Sequence, residues 1–204
     1  MRVRKSSGNR SSLHLRDVAA IEYQCERQLW VHKLRVLQSQ DAKVLFALID
    51  KNRSYLRRWL PWLDYETEEA NSAFFIRKMQ RQLEAGESLV CGVFVEDELI
   101  GMCGYNEIDK TNQSVEIGYW LSEDVQGSGI ITRSIEFFIE YAFENLGIEK
   151  VQIPVAEENF KSRAICERLG FESEGVKIDA EDLYGKYVNH VCYALRKDQW
   201  IRQT

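Results

Sequence analysis

The sequence predicts a mixed α/β domain built on a central sheet, and three observations carry that prediction. Residues 88–95 and 99–106 read as two strands joined by Glu96-Asp97-Glu98, the short connection of an antiparallel hairpin. Residues 115–155 run strand, glycine-flanked loop, amphipathic helix, strand, with the helical stripe at Ile131, Ile135, Phe138 or Ile139, Ala142 and Leu146. Residues 171–178 and 187–195 add two further strands around a polar loop at 179–186. Antiparallel strands first, then a strand–helix–strand unit, is an α+β mixture.

Size and composition fit one domain. The chain has 204 residues, 45% of them hydrophobic and 11% aromatic, enough for a sizeable core. Residues 28–204 are read as the single domain and residues 1–27 as a basic extension. The first sixteen residues carry Arg2, Arg4, Lys5, Arg10 and Arg16 with no acid, the composition of a transit peptide or a flexible tail. Asp17, Glu22 and Glu26 break that acid-poor pattern, which favours a plain extension. The net charge is −5, yet residues 1–37 hold eight Lys/Arg against three Asp/Glu. The acidic remainder suits a cationic substrate such as an amine and argues against nucleic acid. No apolar run is long enough to span a membrane. Five scattered cysteines (25, 91, 103, 166, 192) form no zinc spacing and read as reduced thiols of a cytoplasmic protein. No metal is expected.

The other elements follow in order. Residues 29–37 alternate as a strand. Ser39-Gln40-Asp41 opens a helix with Val44, Leu45, Leu48 and Ile49 on one face, and residues 54–60 make a second helical piece before Pro61. Trp59 and Trp62 stand either side of that proline, as core packing of a loop or as an aromatic wall for an acceptor. Residues 67–85 form an amphipathic helix that Gly86 ends. Residues 149–155 are a buried strand, and residues 157–169 a helix stopped by Gly170.

Between strand and helix lie Gln126, Gly127, Ser128 and Gly129, followed by Ile130, Ile131 and Thr132. Glycines there let backbone amides approach a ligand, and a helix start offers unpaired N–H groups and positive potential to a phosphate. A plain turn is the competing reading. A P-loop is excluded for want of a Gly-Lys-Ser/Thr ending, and Thr132 breaks a dinucleotide fingerprint.

QGSGIIT at 126–132 resembles the Q/R-x-x-G-x-G/A loop of the GCN5-related N-acetyltransferases (GNAT superfamily), with Ile131 in place of the final small residue. IGYWL ahead of it, WLPW at 59–62, NFKS at 159–162 and RLGF at 168–171 are similar to the RimJ/RimL type of that superfamily. The resemblance covers residues 29–200. It implies a mostly antiparallel seven-stranded sheet, splayed between its central strands and flanked by helices, with acetyl-CoA as cosubstrate and a primary amine as acceptor. Backbone groups of Tyr119, Trp120 and Leu121 would polarise the thioester and pair with pantetheine, and residues 126–132 would hold the diphosphate. Asn159 and Arg163 would complete the coenzyme site, and Ser162 would donate to the leaving sulfur; helix capping is the alternative for the Asn159–Ser162 pair. Many members carry a tyrosine where Cys166 stands. Glu181 corresponds to the general base, with Glu116 as the rival carboxylate; Trp59, Trp62 and Glu116 would border the acceptor.

The expected activity is direct acetyl transfer in a ternary complex, to a protein N-terminus such as that of a ribosomal protein. A small amine (polyamine, aminoglycoside or amino acid), a non-catalytic acyl-CoA-binding module and a nicotinamide enzyme are the alternatives. A homodimer is a candidate assembly.

Overall fold

The computed structural model describes residues 23–25 and 32–200. Eight strands form one sheet in the order β1-β2-β3-β4-β5-β6-β8-β7. These are β1 (Tyr23–Cys25), β2 (His32–Arg35), β3 (Leu89–Val95), β4 (Glu98–Asp109), β5 (Ser114–Leu121), β6 (Lys150–Ala156), β7 (Glu172–Leu183) and β8 (Lys186–Arg196). Seven match the expected sheet, and β1 adds three residues at its edge, paired antiparallel with β2. The rest of the basic extension lies outside the described residues. Every pairing is antiparallel except β5 with β6, which the crossover helix α4 (Ile130–Asn145) forces to be parallel.

Helices cover both faces because β3 and β4 carry apolar residues on both, Cys91, Val93, Cys103 and Tyr105 toward one and Phe94, Leu99 and Met102 toward the other. Behind the sheet, Ile135, Phe138, Ile139 and Ala142 of α4 and Cys166 of α5 (Phe160–Arg168) pack on Val115, Ile117, Val151 and Ile153. In front, α1 (Ala42–Lys51), α2 (Arg53–Leu56) and α3 (Glu69–Ala85) bury Leu45, Ile49, Leu56 and Ile76 against Phe94, Leu99 and Met102. Residues that the structure buries in these layers would each contribute roughly 1.5–3 kcal/mol relative to exposure.

Boundaries shift where local chemistry overrides periodicity. α3 starts at Glu69, two residues later than expected, because Glu68 caps it reciprocally with Asn71; Gly86 ends it at φ 72°. α5 starts at Phe160, three residues later than expected, because Asn159 takes the capping position. The polar loop expected at 179–186 is a correction: β7 and β8 form a hairpin turning at Tyr184 and Gly185, and Glu181 sits on a strand opposite Val188. β7 is a solvent-facing edge strand, so it lacks the apolar alternation from which strands are read; a register shift between Lys177 and Glu181 disturbs the pattern further.

Candidate active site

The site begins where two strands part. β5 and β6 pair only through Ser114–Lys150, Val115–Val151 and Glu116–Gln152. Beyond these, residues 117–121 pair with β4 alone, and residues 153–156 with β8 alone. The amides and carbonyls facing the gap are therefore free for an extended ligand chain.

At the mouth of the gap, Gly127 and Gly129 have φ of 78° and 77°. That left-handed backbone explains both glycines, and a Cβ at either would find open space within 4 Å. The first turn of α4 follows at once, with its N–H groups directed out of the helix end. Lys161 donates to Gln126 Oε1 at 3.1 Å and Arg168 to Thr132 Oγ1 at 3.3 Å, which brings two cations to the lip of the loop. Neither is legible as a neighbour of the loop from the motifs NFKS and RLGF that contain them, because only the fold places α5 beside α4. Gln126 also donates to the Tyr55 hydroxyl, so its side chain braces the loop against α2. Ile130 is buried and Ile131 half-buried in the rear core. The corner before the loop is fixed as well: Asn52 Oδ1 accepts from Ser122 Oγ at 3.1 Å and Glu123 N at 2.9 Å, and Lys51 pairs with Asp124 at 2.7 Å.

Behind the gap stands the start of α5. Asn159 Oδ1 accepts from the Ser162 amide at 3.2 Å, so the capping alternative is realised. Ser162 Oγ lies 2.7 Å from the Tyr119 hydroxyl, a contact between β5 and α5 that sequence spacing does not reveal. Cys166 is fully buried beneath them, and burial pushes its thiol up to about 12, which removes it as a nucleophile at neutral pH. Arg163 is drawn aside, donating to the Tyr193 hydroxyl at 3.2 Å and to Glu157 O at 3.0 Å.

In front of the gap are the carboxylates. Glu116 is half-buried on β5, 3.5 Å from Asn106 Nδ2. Burial raises its pKa, while the Asn106 bond and the charges of His190 and Lys177 act against that rise. Glu181 Oε2 lies 3.4 Å from His190 Nε2, so this histidine of β8 stands in the field of both candidate bases. A groove of about 480 Å³ continues from Glu116 between Glu107, Asp109, Gln152 and Arg196. Trp62 and Trp120 pack with Tyr184 at the edge of the front core, whereas Trp59 is half-buried outside it. Tyr184, at the hairpin turn, donates to Leu60 O at 2.6 Å and accepts from Leu63 N at 3.2 Å. The hairpin bearing Glu181 is thereby fastened to the tryptophan loop.

Comparison with known proteins agrees with this geometry. Residues 33–172 match the acetyltransferase (GNAT) domain family. The chain belongs to that family. It is an acetyl-CoA-dependent N-acetyltransferase of the GNAT type. It is similar to the ribosomal-protein-serine acetyltransferase of Escherichia coli, with 30% identity over 162 residues, 79% of this chain and 90% of that protein. It is also similar to the spermidine N(1)-acetyltransferase of E. coli, with 27% identity over 84% of this chain and 89% of that one. Among solved structures, RimL, a ribosomal L7/L12 α-N-protein acetyltransferase in complex with coenzyme A, superposes with a TM-score of 0.79 at 27% identity. That likeness covers 82% of this chain and 95% of RimL. Among the described residues no helix is long and apolar enough to cross a membrane, and no group of His, Cys, Asp and Glu is arranged to hold a metal.

Proposed function

We propose that this acetyltransferase acts on the N-terminal α-amine of a protein, by direct transfer with both substrates bound. The observation that carries the reading is the placement of an acid and two candidate bases on opposite faces of the sheet, connected through the opening between β5 and β6. The parted strands, the two left-handed glycines and the cations at the lip fit acetyl-CoA, which supplies the activated acetyl group. Residues 126–132 with Lys161 and Arg168 hold the diphosphate, and the free backbone groups of Tyr119, Trp120 and Leu121 align the pantetheine and polarise the thioester carbonyl. Asn159, with its oxygen engaged in capping, has its amide group for the pantetheine.

Glu181 accepts the proton that the acceptor ammonium must lose, directly or through water, and His190 orients it. Glu116 binds the ammonium before transfer. Ser162 Oγ donates to the departing sulfur. Trp62 and the fastened hairpin enclose the acceptor, a shape that admits a chain end. The acceptor named for the E. coli relative, a serine of a ribosomal protein, agrees with this reading. A polyamine is the second reading, favoured by the carboxylates Glu107 and Asp109 lining the groove beyond Glu116 and by the spermidine-acetylating relative.

The test is acetyl transfer to peptide N-termini and to small amines side by side, with mass spectrometry of cell extract incubated with the protein and acetyl-CoA. Saturable turnover of a peptide α-amine is the expected result, and turnover of polyamines alone would overturn the protein-acceptor reading. Ser162→Ala and Glu181→Gln should each lower kcat by about 10²-fold while acetyl-CoA still binds. Full activity in Glu181→Gln with loss in Glu116→Gln would transfer the base role to Glu116.

A further inference from the structure

We propose that the Tyr119 hydroxyl is a positioning group for acetyl transfer, donating to Ser162 Oγ and so turning the serine's own proton toward the leaving sulfur. The inference rests on the reading of Ser162 given above. It concerns a side chain whose strand was otherwise assigned a role only through its backbone.

The geometry is specific. Tyr119 belongs to the β5 arm of the opening and Ser162 to the helix that follows the β6 arm, and past Glu116 and Gln152 no ladder bond joins those arms. The 2.7 Å contact between the two hydroxyls therefore spans the opening close to the place where a thioester must lie. A serine hydroxyl has one proton and two lone pairs. If that proton pointed at Tyr119 it could not reach sulfur, so the direction of this one bond decides whether Ser162 can act. Burial holds the Tyr119 phenol well above its ordinary range, so the group stays protonated and keeps a hydrogen to donate. Two other acceptors lie near the phenol, the Ser162 carbonyl, more distant at 3.4 Å, and the buried Cys166 sulfur, a weaker acceptor than a hydroxyl oxygen. With Tyr119 donating, Ser162 Oγ becomes an acceptor on one side and a stronger donor on the other, because hydrogen bonds in series polarise one another. As the carbon–sulfur bond breaks, its electron pair goes to sulfur and the serine hydrogen bond holds that charge. Tyr119 keeps its own proton throughout. Cys166 lies fully buried against the same phenol, which closes that side of the tyrosine to solvent.

The experiment is a double-mutant cycle on the full chain with Tyr119→Phe, Ser162→Ala and the pair, measuring kcat, the KM for acetyl-CoA and the melting temperature. Tyr119→Phe should lower kcat roughly tenfold, the scale of one lost hydrogen bond in a dry site, with the KM for acetyl-CoA within about twofold. The double variant should be no slower than Ser162→Ala, since the tyrosine acts only through the serine. Incorporation of 3-fluorotyrosine at position 119, which retains the hydroxyl, should restore the rate and separates loss of the group from loss of packing. Undiminished kcat in Tyr119→Phe, multiplying losses in the double variant, or no recovery with fluorotyrosine would overturn the inference while leaving the role of Ser162 intact. Undiminished kcat in Ser162→Ala would remove both.

Discussion

At Gly129, a single φ angle decides what the loop can be. Its value of 77° lies where an L side chain is strained, although a Cβ would meet nothing. Gly129→Ala should therefore cost about 1 kcal/mol through the backbone alone, seen as a fall in melting temperature. It should also raise the KM for acetyl-CoA, because the amides at the start of α4 tilt with it. Gly118 works differently: a Cβ there would come within 2.3 Å of Asn106 Nδ2, the far end of a movable side chain. Gly118→Ala should fold normally but displace Asn106 from Glu116, removing the 3.5 Å hydrogen bond between them. A raised KM for the acceptor with unaltered acetyl-CoA binding is the expected outcome. The glycines of the loop could be picked out from the sequence because a left-handed turn needs them. Asn106 and His190 could not, since their partners Glu116 and Glu181 are supplied by other strands.

At the scale of elements, the hairpin β7–β8 joins the base to the acceptor wall. Tyr184 fastens its turn to the segment carrying Trp59 and Trp62 through two hydrogen bonds, and the Arg57 guanidinium lies 3.6 Å above its ring. Tyr184→Phe removes both bonds at a cost of about 1 kcal/mol each. Because neither hydrogen bond of the clamp is made to the glycine loop, acceptor KM should rise while acetyl-CoA affinity, measured by calorimetry, stays level. A fall in coenzyme affinity instead would show that the clamp holds the whole cleft. Sequence reading saw a loop here because an edge strand exposed on its length offers no apolar rhythm. The helices α3 and α4 were legible to within two residues, since their stripes face continuous cores and their ends carry capping glycines.

At the scale of the molecule, the sheet ties its own stability to pH through His32. The residue is 1% exposed, beside Ser134 at 3.3 Å on the first turns of α4, and burial lowers its pKa to about 4. Its folded form is neutral while the unfolded chain takes up a proton below about 6.5. Stability is therefore full above that value and declines as pH falls from 6.5 toward 4, by on the order of 3 kcal/mol. The raised carboxyls of Glu66 and Glu116 act in the opposite sense, favouring the folded state at low pH and losing that contribution above about 4.5. Urea unfolding at pH 7 and pH 5 should thus show a loss that His32→Asn reduces; an equal loss in the variant would assign it to other groups. By itself the sequence determined the mixed α/β class and the glycine loop between strand and helix, and its motifs resembled the family, because periodicity, turn chemistry and motif spacing are local properties. The tertiary structure alone decided that the expected opening starts after three pairs of β5 with β6, that Tyr119 meets Ser162, and that Glu181 meets His190. Those are contacts between segments far apart along the chain, and no spacing in the sequence encodes the register that brings them together.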